Sequence, residues 1–231
     1  MNLESTIRCT EILLALAFLQ QSAEHLRGPT DERRLFLPRA ALSLLLLAGI
    51  AVQFVCLALV VNALFILKRF QGPYNGGSDR MGLLIICCLC LAELSPNSQW
   101  QEVAMGYLAI QLLLSYFIAG WVKVVNPDWR TGRALQDVFL FSAYPVSERL
   151  RILAERPRLL WVASWAVMLL ELLFPFSVLT HATLIAALTL TALFHFANAC
   201  LFGLNRFFWV WLAAYPSLLW LQERLYPLVS L

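Results

Sequence analysis

Charged residues are scarce in this sequence. Asp, Glu, Lys and Arg together make up 13% of its 231 residues, whereas hydrophobic residues make up 61%. So few charges cannot cover the surface of a soluble domain of this size, and a formal net charge of +3 is too small to indicate nucleic-acid binding. The mean hydropathy of +0.73 indicates a polytopic membrane protein that contacts the lipid bilayer.

The sequence also lacks the patterns of a processed or metal-binding protein. Glu4 and Glu11 flank the first apolar run and no small-residue cleavage site follows it, so we expect no cleavable signal peptide. The six cysteines lie mostly within apolar runs. We expect them to pack as small hydrophobic side chains, and we expect no metal site.

Several apolar runs reach the length of about twenty residues that crosses a hydrocarbon core. We therefore predict an all-α fold, a transmembrane helical bundle of about six to seven spans that forms a single domain over residues 1–231. The longest run, from about Pro38 to Leu67, is predicted to be one tilted span. The other predicted helices cover residues from about 9 to 26, 81 to 94, 99 to 125, 159 to 174, 177 to 202 and 207 to 221.

One segment differs in composition from the apolar runs. Between Trp129 and Arg158, arginines alternate with leucine, valine and phenylalanine, which predicts two short amphipathic helices lying in the membrane interface. We expect its arginines to contact anionic lipid; the alternatives are that the segment roofs a cavity or docks a partner.

Lys123 lies near the end of the apolar run that begins at about residue 99. A charged side chain at the centre of a membrane helix costs roughly 2.5 to 3.5 kcal/mol, so such a residue is a candidate functional group. The alternative is that Lys123 extends its ammonium to the headgroups, because Pro127 ends the helix soon after it.

Three more polar residues interrupt the later apolar runs. His195 and Asn198 are three residues apart and share one helix face, and Glu171 is the single acidic residue of its run. Each is a candidate for substrate contact. Each is also a candidate for a purely structural hydrogen bond or ion pair between helices.

Two motifs in this chain resemble a known family. The first is Tyr116-Phe117-Ile118-Ala119-Gly120, followed by Lys123 and by Asp128-Trp129. The second is Phe194-His195-Phe196-Ala197-Asn198, followed by Leu201-Phe202. In this order they resemble the membrane half of the vitamin K-dependent gamma-carboxylases and the wider horizontally transferred transmembrane (HTTM) family. A third segment, Asn75-Gly76-Gly77-Ser78-Asp79, is similar to a glycine-rich turn of bacterial HTTM members.

The resemblance implies an enzyme that works on a lipid-soluble substrate. It implies a catalytic set of Lys123, His195 and Asn198, with Lys123 as the base that takes a proton from a reduced quinone of the vitamin K type. An amine is a base only when it is neutral; burial favours the neutral amine, and a neighbouring carboxylate would favour the ammonium. The substrate-binding residues would be Tyr116, Trp129 and Glu171.

The chain also departs from the carboxylases. We expect no counterpart of the large carboxylase domain that presents the glutamate, and Gly76-Gly77-Ser78 stands near the place where the carboxylases carry a histidine. These departures count against vitamin K epoxidation itself. The other candidate substrates are a different quinol and a peptide delivered by a separately encoded soluble partner.

We therefore predict an integral membrane enzyme of carboxylase-like chemistry, a lyase or an oxygenase, in a bacterial inner membrane. The alternative is a non-catalytic membrane subunit that docks a partner in peptide maturation or in a lipid-linked pathway, through Arg149 and Arg151.

Overall fold

A computed structural model describes residues 1–70, 76–142 and 147–226, and all regular secondary structure within these ranges is helical. The predicted all-α class is therefore confirmed. Ten α-helices are found among the described residues: α1 (Leu3–His25), α2 (Thr30–Ala48), α3 (Val52–Arg69), α4 (Gly76–Leu94), α5 (Ser98–Val125), α6 (Pro127–Arg130), α7 (Arg133–Phe141), α8 (Pro157–Leu173), α9 (His181–Phe202) and α10 (Asn205–Leu225). Two 3-10 helices, Glu148–Glu155 and Phe174–Leu179, precede and follow α8.

The prediction of one span from residue 38 to residue 67 is wrong, because the chain turns inside this run. Gly49 adopts a left-handed conformation with φ 71°, and Ala51 does so with φ 50°. The amide of Ile50 donates to the carbonyl of Leu45 at 3.0 Å and the amide of Gly49 donates to that of Leu46 at 3.1 Å, which is the hydrogen-bonding pattern of a Schellman helix end. The run therefore forms two helices, α2 and α3.

The other predicted helices agree with the structure within a few residues, except at some starts. Helices α1, α4 and α8 begin earlier than predicted, and α9 begins later. Pro175 lies between two of the predicted helices and is part of the second 3-10 helix. Helix α9 then begins with a capping box, in which the Thr180 and Thr183 side chains each bond the backbone amide of the other residue.

Among the described residues, four helical segments are long and apolar enough to cross a membrane. These are Val52–Arg69, Ser98–Val125, Pro157–Leu179 and His181–Phe202. The chain is an integral membrane protein by these segments, but the predicted count of six to seven spans is not confirmed.

The chain divides into two compact units. The first contains Met1–Ile110 and Trp209–Leu231, and the second contains Gln111–Phe208. The predicted single domain over residues 1–231 stays a prediction.

Polar contacts between helices hold the first unit together. The guanidinium of Arg39, which is buried in α2, lies 3.6 Å from the centroid of the Phe18 ring of α1. The His25 ring stacks on Phe36 at 3.9 Å. The Gln21 side chain donates to the Asp79 carboxylate at 2.7 Å, which joins α1 to the start of α4. Ser78 and Asp79 of the glycine-rich segment, which resembles a turn, lie in the first turn of α4. Asn75 of the same segment lies outside the described residues.

The second unit contains the segment that was predicted to lie in the interface. Residues 129–158 include the second half of α6 and all of α7 and of the first 3-10 helix, with residues 143–146 outside the described range. Phe139, Ala154 and Leu160 form a small core between α7, this 3-10 helix and α8. The Gln136 side chain donates to the Ala154 carbonyl at 2.9 Å. The prediction of short helices here is correct in outline.

The turn between α2 and α3 yields a first prediction. A side chain at Gly49 would meet only ordinary contacts, the nearest being Arg8 Nη2 at 3.5 Å, so Gly49→Ala is opposed by the left-handed backbone alone. We expect it to lower the free energy of unfolding by about 1 kcal/mol. Ala51→Gly relieves the same kind of strain and should raise that free energy by up to about 1 kcal/mol.

Equilibrium unfolding in detergent micelles measures both changes. If the run were one continuous helix, Gly49→Ala would raise the free energy of unfolding and Ala51→Gly would lower it, because alanine favours a helix interior and glycine does not.

Candidate functional site

The site lies on the part of α5 that belongs to the second unit, from Gln111 to Val125. Tyr116, Gly120 and Lys123 are spaced by four and three residues, so they follow one another along the same side of the helix. In sequence this spacing is part of the first motif. In the structure, the side of α5 that carries these residues contacts α8 at Gly120 and Lys123.

Gly120 allows α5 and α8 to come close together. A Cβ atom at this position would lie 2.8 Å from the backbone nitrogen of Leu172 and 3.0 Å from the Cβ atom of Glu171. Backbone atoms of a helix cannot move aside cheaply, so only glycine fits at this crossing. The close approach places Glu171 beside Gly120, where the Lys123 side chain, one turn later on α5, reaches back to it.

Lys123 forms an ion pair with Glu171. The ammonium Nζ donates to both carboxylate oxygens, at 2.8 Å and 2.6 Å, and more weakly to the Ala119 carbonyl at 3.4 Å. The side chains are 19% exposed for Lys123 and 5% exposed for Glu171. Lys123 therefore does not extend away from the protein. The carboxylate of Glu171 is the ion-pair partner of Lys123 in the structure.

Trp129 covers the lysine side of this pair. Its ring centroid is 5.3 Å from Lys123 Nζ, within the range of a cation–π interaction. Two side chains of α8 hold α6 in place: Ser164 Oγ donates to the Trp129 carbonyl at 2.5 Å and the Trp165 indole donates to the Arg130 carbonyl at 3.1 Å. The predicted substrate-binding residues Trp129 and Glu171 thus both contact Lys123.

A second polar contact lies two helical turns earlier on α5. The Tyr116 hydroxyl and His195 Nε2 are 2.9 Å apart, which joins α5 to α9 by a hydrogen bond. The Tyr116 ring also packs on Phe174 at a centroid distance of 4.1 Å. Tyr116 and His195 are both buried. The structure therefore brings together His195, a predicted catalytic residue, and Tyr116, a predicted substrate-binding residue.

Asn198 is the one predicted site residue for which the structure gives no partner. It is half-buried, and its side chain forms no hydrogen bond with the residues that the structure describes. Its backbone carbonyl accepts from the Leu204 amide at 3.3 Å, at the end of α9.

The arginines of the interfacial segment have unequal roles. Arg151 donates to the Glu148 carboxylate and to the Leu140 carbonyl, so it joins the first 3-10 helix to α7. The guanidinium of Arg151 lowers the pKa of Glu148 below its usual value. Arg149 is exposed. Arg151 is thus engaged within the protein, which disfavours it as a docking residue.

Sequence reasoning named the residues of this site but not their pairings. Phe174, Ser164 and Trp165 were missed, because no motif marks them and their roles depend on the crossing of α5, α6 and α8. A signal existed for Gly120, a glycine three residues before a lysine inside an apolar run.

The side chains are of the types that a quinol needs. Tyr116, His195 and Lys123 carry hydrogen-bonding groups for quinol oxygens, and Phe174 and Trp129 offer aromatic faces for the ring. A quinol would have to replace one of the two internal contacts. Among the described residues no cluster of three metal-ligating side chains is found.

The helix crossing at Gly120 yields the second prediction. Gly120→Ala should destabilise the protein by about 1 to 3 kcal/mol, because its methyl group would overlap the backbone of α8. Gly106→Ala is the matched control in the same helix, since its Cβ atom would meet only Trp220 at 3.9 Å. Thermal unfolding in detergent compares the two. Equal effects of the two substitutions would contradict the close approach.

Comparison with known proteins gives one family. A model of the HTTM domain matches residues 93–222, more than half of the chain and all of the residues that form this site. No curated protein and no solved structure matches the chain. The predicted resemblance is therefore confirmed at the level of the family, and this chain belongs to the HTTM domain family of membrane proteins, which is related to the gamma-carboxylases.

Proposed function

We propose that the chain is an integral membrane enzyme in which Lys123 and Glu171 together move a proton of a lipid-soluble substrate. The observation that supports this is the ion pair at 2.6 Å, with Glu171 almost completely buried. Removing two charges from water costs several kcal/mol per ion, so a helix bundle gains little stability from such a pair. A proton-transfer role accounts for a pair in this place.

The pair can supply a free amine if its proton moves. In the proposed resting state the proton is on Lys123 Nζ, which lies 2.6 Å from an oxygen of Glu171. When a bound substrate excludes water, the charged state of ammonium and carboxylate becomes less stable. The neutral state of amine and carboxylic acid then becomes more favourable relative to it. The N–H bond then breaks and an O–H bond forms on Glu171. The free amine takes the hydroxyl proton of the substrate, and the restored ammonium stabilises the substrate oxyanion.

His195 and Asn198 take the role of substrate positioning in this proposal. The Tyr116 hydroxyl bonds His195 Nε2 and so fixes the orientation of the imidazole ring. Asn198 is on the same face of α9 and is half-buried without a side-chain partner among the described residues, so its amide is available to a substrate oxygen.

A quinol-like molecule is the substrate class that we favour. It would be reached from the bilayer, its hydroxyl group supplies the proton, and Phe174 and Trp129 provide flat apolar contacts. A peptide delivered by a separately encoded partner is the other class carried by the family resemblance. A bacterial inner membrane stays the predicted location.

The third prediction concerns the base. Lys123→Arg keeps the positive charge beside Glu171, but arginine cannot give up its proton, so we expect turnover to fall at least about 100-fold with little change in melting temperature. Lys68→Arg is the matched control, because Lys68 is the only other lysine and is exposed at the end of α3. The assay supplies menaquinol or ubiquinol to purified protein in nanodiscs with oxygen and bicarbonate, and quantifies products by mass spectrometry.

Two results would contradict the proposal. Wild-type protein that converts neither quinol rejects the quinol-like substrate. A Lys123→Arg variant that is as active as the wild type rejects Lys123 as the base, whatever the substrate.

The fourth prediction separates stability from catalysis. Lys123→Met leaves Glu171 buried without its partner and should lower the free energy of unfolding by about 3 to 5 kcal/mol. Adding Glu171→Leu should restore most of that loss, because the double variant has no buried charge. Melting temperature and quinol turnover are measured on the same samples. We expect recovered stability without recovered turnover; recovery of both would show that the pair is only structural.

A further inference from the structure

The first unit contains a cavity of about 420 Å³, which lies within the size range of small-molecule sites. Its walls come from the first half of α1, the turn between α2 and α3, the end of α4 and the first turn of α5. It belongs to a different unit from Lys123 and Glu171, so its role is independent of the proposed function.

The positive charge in the wall of this cavity is already bound within the protein. Arg8 donates to the carbonyls of Leu46 and Leu47, at 3.0 Å and 2.6 Å, and to the Glu11 carboxylate at 2.7 Å. Arg8 thus bonds two carbonyls in the last turn of α2. These contacts use three of the five N–H groups of the guanidinium, and the Glu11 carboxylate pairs with its charge.

The amide donor in the wall is bound in the same way. Gln101 donates to the carbonyls of Ala92 and Ser95, at 3.2 Å and 3.4 Å, at the end of α4. The polar groups of the wall that remain available to a ligand are therefore mostly the oxygen atoms of carboxylate groups.

Three carboxylate side chains line the cavity, against one guanidinium. They are Glu4, Glu11 and Glu93, and neither Glu4 nor Glu93 forms an ion pair with any residue that the structure describes. Glu11 is only 3% exposed. Burial raises the pKa of Glu11 to about 7, with the nearby Glu93 carboxyl adding to the rise and Arg8 opposing it. The cavity therefore has an excess of negative charge that a cation would relieve.

The cavity lies at a boundary of the membrane. Val52 is the first residue of α3 and Gln101 is in the first turn of α5, and both helices are candidate spans. A group bound here lies where headgroups meet hydrocarbon, and it is accessible both to lipid headgroups and to small solutes.

The nature of the cation follows from the lining residues. Sites for quaternary ammonium groups use aromatic rings, and none of the residues that line this cavity is aromatic. Carboxylate oxygens instead accept hydrogen bonds, which a primary ammonium group can donate in three directions. The volume is also larger than a bare metal ion needs.

We propose that this cavity binds a primary ammonium group, carried either by the headgroup of an aminophospholipid or by a small free amine, through the carboxylates of Glu11 and Glu93. Arg8 keeps Glu11 oriented and closes the end of α2, and Glu4 adds negative charge to the wall.

Four probes test this on the full chain in detergent: ethanolamine and choline as free amines, and lysophosphatidylethanolamine and lysophosphatidylcholine as lipids. Within each pair the probes differ in the methylation of the nitrogen. We expect binding of the primary ammonium probe to be at least tenfold tighter than binding of its quaternary counterpart, by isothermal titration calorimetry. Preference for the lipid probe would identify a headgroup as the source, and preference for ethanolamine would identify a free amine.

Glu93→Gln should weaken binding of the primary ammonium probe at least tenfold. Glu102→Gln is the matched control, because Glu102 is in the same turn of α5 as Gln101 but forms an ion pair with Arg224 at 3.2 Å and does not line the cavity. Choline compounds that bind as tightly as their ethanolamine counterparts would overturn the proposal. So would unchanged binding in Glu93→Gln, or failure of both primary ammonium probes to bind.

Binding should also strengthen with pH. The charged groups near Glu11 are Glu4 and Arg8 of α1 and Glu93 of α4, and the thiol of Cys56 of α3 is also close. Because the raised pKa leaves Glu11 protonated in acid, a cation must displace that proton, and affinity should rise about tenfold or more from pH 5.5 to pH 8. In Glu11→Gln this dependence should disappear. An equal pH dependence in that variant would exclude Glu11 as a ligand.

Discussion

The ion pair between Lys123 and Glu171 is the interaction on which the second unit depends. In hydrocarbon no water replaces a missing partner, so every charged side chain must find its counterpart inside the protein. The chain meets this requirement with a helix crossing. Gly120 lacks the side chain that would separate α5 from α8, and the ammonium of Lys123 and the carboxylate of Glu171 meet close to it. Trp129 covers the lysine from a short helix that Ser164 and Trp165 hold against α8.

The same requirement applies throughout the described residues. Tyr116 and His195 share a hydrogen bond between α5 and α9, and Arg39 lies over the Phe18 ring in the first unit. The carboxylates around Glu11 differ from these cases, because one guanidinium stands against three acidic groups. Glu11 is buried, Glu93 is half-buried and Glu4 is exposed, so the excess of negative charge falls partly on a buried group, and a ligand of the opposite charge would lower the free-energy cost of that excess. This is the physical difference between the polar contacts that complete the fold and the cavity that we propose as a binding site.

Much of this architecture could be predicted from the sequence. Apolar runs predicted the helices, and Lys123 and Glu171 were visible as isolated charges in two such runs. Their pairing was not predictable, because two residues 48 positions apart meet only if α5 and α8 cross at Gly120. The single span over residues 38–67 failed for a local reason. Leucine and valine fit one long helix and two shorter helices equally well. The two helices are separated by the left-handed backbone at Gly49 and Ala51, which the apolar pattern does not indicate.

The spacing of Tyr116 and Lys123 limits how one molecule can use both of their polar contacts. Seven residues of α-helix separate the two Cα atoms by about 10 Å along the helix axis. The ammonium of Lys123 reaches back to the Ala119 carbonyl at 3.4 Å, so the two polar contacts lie closer together along α5 than the two Cα atoms do. A substrate that engages both contacts would lie along α5, with one polar group beside the lysine and glutamate and another beside the tyrosine and histidine.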